Sequence, residues 1–540
     1  MKKEEYSISR RNFIKNVSVA TGAGLLAGCA PKVVETAEPT ASSNEVESGE
    51  SAGSVSKTWR DAPDPITDIS ETIDADVVVV GAGISGVCAA LAAVQGGAKT
   101  VCIQKGPAVL THGGNFGAMN SRFQKEIGNP EIDLLTLANH HIRYNNHRPD
   151  WDLVKEIMLQ SAKTLEWITD ETGVGWNVRT PSNQNNYDYN QPTFATGHAT
   201  QDPSKAIGLA NVIATRAQEL GVEFYFDTPG EQLIQDSTGR VTGVIARNAD
   251  GQYVQFNAAN GVILSTGDYG SDYEMCADLC PWVVGTHNYY YPHYNTGDGH
   301  KMGYWIGGKM ETAPHTKMAH IHNCIDGSNL ADSPIKSNPF LWVNQEGNRF
   351  ANEEMEYAMV CNVVREQPGD LFYIVLDSTY NEQLGKMWNP RPPVNEEAFN
   401  KAMELGYIVQ GDTLDEAAQA FDIPVDALKA TVDHYNGLAA AGYDEDFGKP
   451  AEDLQPIEVG PFYIVRVYTP MDVTMGGLMI DLNMHVVDNE DAPIQGLYAT
   501  GNTSGGFYGG IDYDLEVDAF SLGRAVTTGR LAGEYASAGI

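Results

Sequence analysis

An apolar run followed by closely spaced glycines marks the chain near residue 80. The segment from Asp76 to Gly86 is Asp-Val-Val-Val-Val-Gly-Ala-Gly-Ile-Ser-Gly. Four consecutive valines predict a strand buried on both faces, as in a parallel sheet. The small apolar stretch from Val87 to Gln95 predicts a helix packed closely on that strand. The pattern therefore indicates a strand, a glycine turn and a helix in succession.

Hydrophobic periodicity predicts further elements along the chain. Residues 150–175 and 203–220 have the spacing of amphipathic helices. Apolar runs bounded by turn residues predict strands before and after these helices. These strands are Thr100–Ile103, Val222–Phe226, Val241–Ile245 and Gly261–Gly267. Strands that alternate with helices in this order are typical of an α/β fold.

The glycines after the first strand have the spacing of a phosphate-binding loop. Gly81, Gly83 and Gly86 follow G-x-G-x-x-G, framed by strand, helix and second strand. Such a loop makes a tight turn, leaves the backbone bare, and lets the helix N-terminus hold a pyrophosphate. The position after the second strand usually carries an acid that binds the ribose. Here it is Gln104, which can accept one hydrogen bond but carries no charge.

Residues 1–29 have the features of an export signal rather than of a fold. Ser9–Lys15 resembles a twin-arginine signal, and the apolar run Val17–Ala27 is too short to span a bilayer as a helix. Leu26–Cys29 resembles a lipobox, in which Cys29 would be lipidated; the alternative is cleavage nearby without lipidation. We therefore expect export by the twin-arginine route and a lipid anchor on the extracytoplasmic face of the membrane.

Composition limits the partners of the chain. Residues 30–57 are rich in Glu, Ser, Ala, Thr and Pro and contain no aromatic residue, so we predict a disordered linker over 30–69. The net charge of −36 argues against nucleic acid and against charge-driven binding to an anionic membrane. The partners that remain are a small-molecule substrate and another protein.

The seven cysteines show neither haem nor zinc spacing, so no metal site is predicted. Cys276 and Cys280 form an isolated C-x₃-C, which predicts either buried thiols or a disulfide. Flavin or nicotinamide is then the redox group that the sequence supports. Electrons must reach it from a separate donor protein, a cytochrome or a flavoprotein.

Three further segments have the residues of a dinucleotide site. Gly113 and Gly114 follow His112 and would let the backbone approach a flavin; His112 is a candidate for covalent attachment, although a non-covalent role is favoured. Ser265–Gly270 ends an apolar strand. Thr296–His300 opens a helix with Gly-Asp-Gly, whose N–H groups and carboxylate suit a ribityl or phosphate group, or a simple helix cap.

These motifs occur in the order found in one flavoprotein family. The later motifs are Val343–Glu353, Thr474–Asp481, Gly496–Gly501, Gly523-Arg524 and Gly529–Gly533. Together with the earlier ones they resemble the family of soluble fumarate reductases, urocanate reductases and 3-ketosteroid Δ1-dehydrogenases. The resemblance extends from about residue 74 to residue 540.

The resemblance implies a Rossmann-like, split FAD-binding domain with an inserted α+β capping domain, and hydride transfer between flavin N5 and a substrate carbon. The predicted domains are 70–319 and 466–540 for FAD and 320–465 for the cap. The residues that the motifs and the resemblance assign to FAD are Gly81, Ala82, Gly83, Gly86, Gln104, Lys105, Gly113, Gly114, Gly267, Asp298, Gly501, Asn502, Ser521 and Leu522.

Several positions depart from the fumarate reductases of this family. The position of the proton-donating arginine, counted from Glu353, is Tyr357, and an earlier relay arginine corresponds to Lys336. One carboxylate-binding histidine corresponds to His320 or His322. The histidine before Thr-Met-Gly-Gly is replaced by Asp472-Val473. Arg349 is expected to form an ion pair or to face the substrate.

The late arginine that would clamp a substrate carboxylate is also missing. In the segment Gly505–Glu516 its place is taken by Asp512 or, counted from the other side, by Glu516. Because an acid would repel a carboxylate that arginine binds in a bidentate manner, a fumarate-like substrate is disfavoured. Tyr357 and Tyr513 are candidate phenolic proton donors. Tyr508 is a further candidate substrate contact.

The leading hypothesis is therefore an exported FAD-dependent reductase of an activated carbon–carbon double bond. The reverse reaction, a dehydrogenase that forms a double bond next to a ketone, is an alternative. A lipoprotein that only carries electrons on FAD is another, but the cap motif Gly347–Glu353 argues against it, because a carrier has no need of a closing lid.

Overall fold

The computed structural model describes part of the chain. The described residues are 58–110, 113–178, 194–202, 204–286, 288, 293–323, 334–388, 390–513 and 517–540, with backbone alone at 204–207 and Tyr357. The predicted signal with Cys29, most of the predicted linker, His112 and Glu516 lie outside the described residues.

The strands are distributed along the whole of the described chain. In order they are β1 (Ile69–Val80), β2 (Thr100–Ile103), β3 (Asn115–Gly117), β4 (Trp176–Val178), β5 (Gly197–Thr200), β6 (Glu223–Tyr225), β7 (Gly230–Gln235), β8 (Val241–Arg247), β9 (Tyr253–Leu264), β10 (Lys317–Ala319), β11 (Leu341–Val343), β12 (Leu371–Leu376), β13 (Ile408–Gly411), β14 (Phe462–Tyr468), β15 (Met471–Thr474), β16 (His485–Val487) and β17 (Pro493–Ala499).

The helices alternate with these strands. In order they are α1 (Ile84–Gln95), α2 (Arg122–Glu126), α3 (Leu134–Tyr144), α4 (Trp151–Thr172), α5 (Ser204–Glu219), α6 (Tyr273–Leu279), α7 (Asp298–Trp305), α8 (Tyr357–Val364), α9 (Tyr380–Leu384), α10 (Glu396–Glu404), α11 (Leu414–Ala420), α12 (Val425–Ala441) and α13 (Phe520–Ala538). Within the described ranges, none of them is both long enough and apolar enough to cross a membrane.

The main sheet joins distant parts of the chain. Its strand order is β16-β17-β9-β1-β2-β6, with the β7–β8 hairpin continuing from β9. The pairs β1–β2, β1–β9, β9–β17 and β2–β6 are parallel. Val77–Val80 are 0–3% exposed, which confirms the predicted doubly buried strand. Because β17 comes from the C-terminal part, the predicted α/β fold with a split dinucleotide domain is confirmed.

Small residues let two helices approach the sheet and each other closely. The C-terminal helix α13 packs on α1 through Gly529 and Gly533. A methyl group built on Gly529 would lie 2.2 Å from the carbonyl oxygen of Ser85, and one on Gly533 would lie 2.3 Å from that of Ala89. Larger residues could not enter this contact. The Gly529–Gly533 motif therefore serves helix packing.

A second, antiparallel sheet forms the core of the inserted region. Its order is β11-β12-β14-β13, and separate apolar clusters cover its two faces with helices α8 to α12 and the intervening loops. β14 runs to Tyr468, past the predicted boundary at 465. The strands β10 and β15 pair with each other where the chain enters and leaves this region.

The predicted linker ends earlier than expected. Trp59 is only 5% exposed, and its indole Nε1 donates to Asp278 at 2.9 Å, while its carbonyl accepts from the indole of Trp305 at 2.9 Å. β1 already begins at Ile69. The prediction of disorder to residue 69 is therefore wrong from residue 58 onward, because one buried aromatic side chain fixes this part of the chain.

A buried ion-pair cluster fixes the cap. The Arg349 guanidinium donates to both carboxylate oxygens of Glu353 and to both of Asp444, at 2.8–2.9 Å. Lys449 Nζ lies 3.4 Å from Glu353 Oε2. Burial alone would raise the pKa of Asp444, but Arg349 and the Lys449 backbone N–H lower it to about 2. The predicted role of Arg349 in substrate binding is not supported, because its guanidinium N–H groups already donate to Glu353 and Asp444.

Replacement of Arg349 by methionine should destabilise the cap by about 3–5 kcal/mol, because two buried carboxylates lose their partner. Urea denaturation followed by tryptophan fluorescence measures the loss. Arg216→Met is the matched control: its side chain is 34% exposed and pairs with Glu171 and Glu219, so a change below about 1 kcal/mol is expected. Equal losses in the two variants would contradict the assignment.

The cluster also predicts a pH dependence. Asp444 has a folded pKa of about 2, below the value of about 3.9 in an unfolded chain. Its contribution to stability is therefore complete above about pH 4 and is lost as the pH falls through about 2. In Arg349→Met this acid-sensitive contribution should be smaller, so the wild-type and variant stabilities should converge at low pH.

Candidate active site

A cavity of about 370 Å³ opens at the carboxyl ends of the parallel strands. Val80, Ile103, Ser265 and Gly501, which lie at or just after the ends of β1, β2, β9 and β17, all line it. Ligands in open α/β sheets bind at this edge. The cavity therefore occupies the position that the glycine motif predicts for a dinucleotide.

The glycine loop fits closely against the neighbouring strand. Gly81 has φ +106°, and a methyl group built on it would lie 2.3 Å from the carbonyl oxygen of Ser265. Gly83 caps helix α1 without any side-chain hydrogen bond, so the first N–H groups of the helix have no cap from that residue. Gly86 would place a methyl group 1.9 Å from the Gly81 carbonyl oxygen. The loop thus leaves a bare helix N-terminus at the cavity.

The predicted ribose-binding residue has a different partner. Gln104 lines the cavity, but its Oε1 accepts from the Ala82 N–H at 3.0 Å and its Nε2 donates to the Ala108 carbonyl at 3.2 Å. Its amide therefore holds the glycine loop in place. The neighbouring Lys105 donates to Thr296 Oγ1 at 2.6 Å and to Asp298 Oδ2 at 3.0 Å. This charged group also lines the cavity.

A second helix N-terminus faces the same cavity. Helix α13 begins at Phe520 without a side-chain cap, and Ser521 and Leu522 line the cavity. The other predicted FAD residues in the lining are Gly113, Gly114, Gly267 and Asn502. Two uncapped helix ends and a bare glycine loop suit the pyrophosphate and the electron-rich ring of a flavin dinucleotide. The residues present therefore fit FAD.

The far end of the cavity has a different character. It is lined by Met318, His320, Val473 and Tyr513, from three segments of the chain. Met318 and Val473 are paired across β10 and β15. His320 follows β10 directly, and Tyr513 lies on the segment that runs beside it, where Lys317 N–H donates to the Ile511 carbonyl at 3.0 Å. The β10–β15 pair thus carries the wall opposite the dinucleotide cleft.

His320 joins the cavity to a buried acid. Its Nε2 lies 2.6 Å from the Tyr513 hydroxyl and its Nδ1 lies 2.5 Å from Asp472 Oδ2. With His322, these groups offer ligand atoms within 4.8 Å of one another. Two ligands of one tetrahedral zinc ion, each about 2.0 Å from it, lie about 3.3 Å apart. The Nδ1–Oδ2 distance of 2.5 Å is too short for two ligands of one zinc ion.

His322 and Lys336 lie behind this group. His322 is 2% exposed, and burial, with contributions from Lys336 and His320, lowers its pKa to about 2. His322 is therefore a neutral imidazole. Neither His322 nor Lys336 is among the cavity-lining residues. The structure thus brings His320 and Tyr513 together at the cavity and leaves these two predicted residues outside its wall.

Asp512 has a different role from the one predicted. It lies 1% exposed, paired with the buried ammonium of Lys317, and accepts from Asn362 Nδ2 at 2.5 Å. Burial also raises the pKa of the Asp512 carboxyl. It is absent from the cavity wall. The expectation that Asp512 repels a substrate carboxylate is wrong, because its charge is compensated inside the protein.

Two further predicted residues lie elsewhere. Tyr508 is 2% exposed and packs against His141, Phe520 and Arg524 rather than lining the cavity. Tyr357 is the first residue of α8, and its side chain lies outside the described part of the chain. The proton-donor prediction for Tyr357 therefore stays a prediction.

The sequence did not predict the roles of Lys317 and Asn362. It also did not predict the contact between the Asp472 carboxylate and His320. Asp472 and Lys317 flank residues that line the cavity, and alternation along β15 and β10 would have pointed both side chains away from it. Cys276 and Cys280 are buried free thiols, which decides between the two alternatives left by their spacing.

Gly81→Ala should abolish FAD retention, because the added methyl group meets the Ser265 carbonyl at a φ that disfavours side chains. Flavin absorbance per protein after gel filtration measures the loss. Gly97→Ala is the matched control: its φ is +89°, yet no atom lies within 4 Å of the added methyl group. It should stay fully loaded. A yellow Gly81→Ala protein with full FAD content would contradict the assigned loop.

Comparison with known proteins agrees with this geometry. Residues 76–513 match the family model described as FAD binding domain. The chain is 29% identical over 553 residues to the urocanate reductase of Eggerthella lenta, covering 98% of this chain and 84% of that protein. It is 28% identical over 498 residues to the vinyl phenol reductase of Lactiplantibacillus plantarum, covering 86% and 96%.

The fold also resembles a solved structure. The open conformation of a flavocytochrome c3 fumarate reductase superposes with a TM-score of 0.68 at 25% identity, covering 89% of this chain and 82% of that one. The predicted family, the FAD cofactor and the class of flavin-dependent oxidoreductase are thereby confirmed. The chain belongs to the FAD binding domain family of flavoproteins.

Proposed function

We propose that this protein is an exported reductase of an activated carbon–carbon double bond in a small, uncharged organic molecule other than fumarate, with Tyr513 as the proton donor. The proposal combines the FAD-binding cleft with the chemistry of the cavity's far end. Reductases named for urocanate, vinyl phenol and fumarate are among the similar proteins. Reduction of such a bond is the activity that their names share.

The absence of an arginine from the described cavity wall supports an uncharged substrate. The one lysine there, Lys105, is bound to Asp298 at the dinucleotide end. The buried Arg524 donates to the carbonyls of Gly501 and Ser504 and to the Asn502 side chain. A carboxylate is held best by a bidentate guanidinium. The described wall offers it none, whereas a phenol and an imidazole can bind a carbonyl or hydroxyl group.

The same wall suits proton donation. Bound FAD in its reduced state supplies the hydride. Tyr513 is 6% exposed, and His320 Nε2 lies 2.6 Å from its hydroxyl, so the phenol is held in one orientation at the cavity. A hydroxyl held in this way can donate its proton to the carbon next to the one that receives the hydride. Val473 and Met318 provide apolar surface for the rest of the molecule.

Electrons and location follow from the sequence motifs. The chain has one dinucleotide fingerprint, and FAD accounts for it, so we propose that a separate cytochrome or flavoprotein, rather than NAD(P)H, reduces the protein. The twin-arginine pattern and Cys29 support export and a lipid anchor outside the cytoplasmic membrane.

A substrate panel tests the activity. Anaerobic, dithionite-reduced protein is mixed with enones, aryl alkenes and enoates, and flavin reoxidation is followed by absorbance. Fumarate should be reduced at least about a hundredfold more slowly than the best uncharged alkene, the scale expected without charged recognition. Efficient fumarate reduction would overturn the substrate class. No reoxidation by any alkene, together with bleaching of the oxidised flavin by a saturated ketone that gains a double bond, would favour the dehydrogenase alternative.

Tyrosine variants test the proton donor on the best alkene. Tyr513→Phe should lower kcat by roughly a hundredfold or more, the typical effect of losing a general acid, with FAD content unchanged. Tyr373→Phe is the matched control, since Tyr373 is 4% exposed in strand β12 of the cap. Tyr357→Phe is measured in parallel. A large loss in Tyr357→Phe alone would return the role to the residue predicted from the sequence.

Fractionation of the native host tests the location. Wild-type protein should sediment with membranes and partition into detergent, whereas Cys29→Ala should be released or accumulate as precursor, because the lipidated residue is gone. Ser42→Ala, in the predicted linker, is the control and should behave as wild type. Wild-type protein found entirely in the cytoplasm would refute export.

A further inference from the structure

The contact between His320 and Asp472 is unusual for a wall of an apolar cavity. Asp472 is 1% exposed on β15, and His320 Nδ1 lies 2.5 Å from its Oδ2. Among the described residues, neither carboxylate oxygen of Asp472 accepts a hydrogen bond, so the close contact with His320 is an ion-pair contact. A buried carboxylate without donors is costly, and a positive charge beside it would offset that cost. The carboxylate therefore depends on His320.

The other face of His320 meets the cavity. Its Nε2 lies 2.6 Å from the Tyr513 hydroxyl, and its side chain is 31% exposed, so it is the member of the group that water can reach. Asp472 lies behind, away from the cavity wall. Acid, imidazole and phenol thus form a line from the interior to the substrate end of the cavity.

We infer that Asp472, His320 and Tyr513 form a proton relay, in which Asp472 is a positioning residue that keeps His320 protonated to recharge Tyr513. The inference rests on the proposed function. It names the groups that would resupply the proton added to the substrate. The sequence alone assigned that proton to a tyrosine.

The relay balances atoms and electrons. The substrate carbon–carbon double bond gains a hydride, with both electrons, from reduced FAD and a proton from the Tyr513 O–H. The His320 Nε2–H then passes its proton to the tyrosinate oxygen, and His320 keeps its Nδ1–H toward Asp472. Water in the cavity returns one proton to Nε2. Both electrons would come from bound FAD, and the donor protein would return two electrons to it.

The charges around His320 agree with this assignment. Asp472 faces it from β15 and Tyr513 from the segment after Ile511. His322 is neutral, because burial lowers its pKa to about 2, with Lys336 and His320 adding to the shift. The pair of Lys317 and Asp512 is internally compensated. Asp472 is therefore the negative group in direct contact with His320 among the described residues.

The pH dependence of kcat tests the relay. Asp472→Asn should lower kcat near neutral pH by roughly tenfold or more, within the range of a lost acid–base contribution. The decline of kcat with rising pH should begin at lower pH than in wild type, since the carboxylate that favours protonated His320 is gone. Activity should therefore recover toward wild type in acid, which loss of structure would not produce.

Further variants separate positioning from folding. Asp472→Glu should restore part of the neutral rate. His320→Gln should lower kcat, and adding Asp472→Asn to it should have little further effect, because both act in one chain. Asp453→Asn is the matched control, a carboxylate 2% exposed in the cap that accepts from the Trp388 N–H. Additive losses, or a wild-type pH profile in Asp472→Asn, would overturn the relay.

A spectroscopic measurement distinguishes the relay from the reductase function. Nitrogen NMR of protein labelled at histidine, with His320 assigned from the His320→Gln spectrum, should show both ring nitrogens protonated near neutral pH. In Asp472→Asn one should be deprotonated. If these spectra are found but no alkene is turned over, the proposed function is refuted and the contacts between Asp472, His320 and Tyr513 still hold. Alkene turnover with a His320 signal insensitive to Asp472→Asn would refute the relay alone.

Discussion

The close approach of two backbone turns, at Gly81 and Ser265, is the contact on which the FAD cleft depends. Strands β1 and β9 lie side by side, and the glycine loop leaves β1 directly over the end of β9. Gly86 then seats helix α1 against the loop, and Gly529 and Gly533 seat helix α13 against α1. Each of these contacts excludes a single methyl group. The shape of the cleft therefore depends on glycines that have no room for a side chain.

Charge is handled differently in the two parts of the protein. In the cap, Arg349 is enclosed by Glu353 and Asp444, and every strong donor and acceptor of the group has a partner. Lys317 and Asp512 compensate each other inside the protein, outside the cavity wall. The far end of the cavity is lined by the phenol of Tyr513 and the imidazole of His320. The charges of these buried pairs are thus compensated away from the cavity.

Local patterns predicted the parts of the fold that depend on neighbours in sequence. Four valines in succession and G-x-G-x-x-G are self-contained signals, because strand burial and the glycine turn are decided within a dozen residues. Asp512 was misjudged because its partner Lys317 lies 195 residues away. Gln104 was predicted to bind ribose, yet it satisfies the Ala82 N–H of the loop. The sequence showed an acid at position 512, but the pairing that compensates its charge required the tertiary fold.

The hydrogen bond from Asn362 to Asp512 connects helix α8 of the cap to the residue beside Tyr513. A cap that swings away to admit a substrate would stretch this bond and free one oxygen of a carboxylate that is otherwise buried. The departure of the cap then has an electrostatic cost at the same point where the phenol is held. Through this bond, any movement of the cap would reach the segment that carries Tyr513, the proposed proton donor.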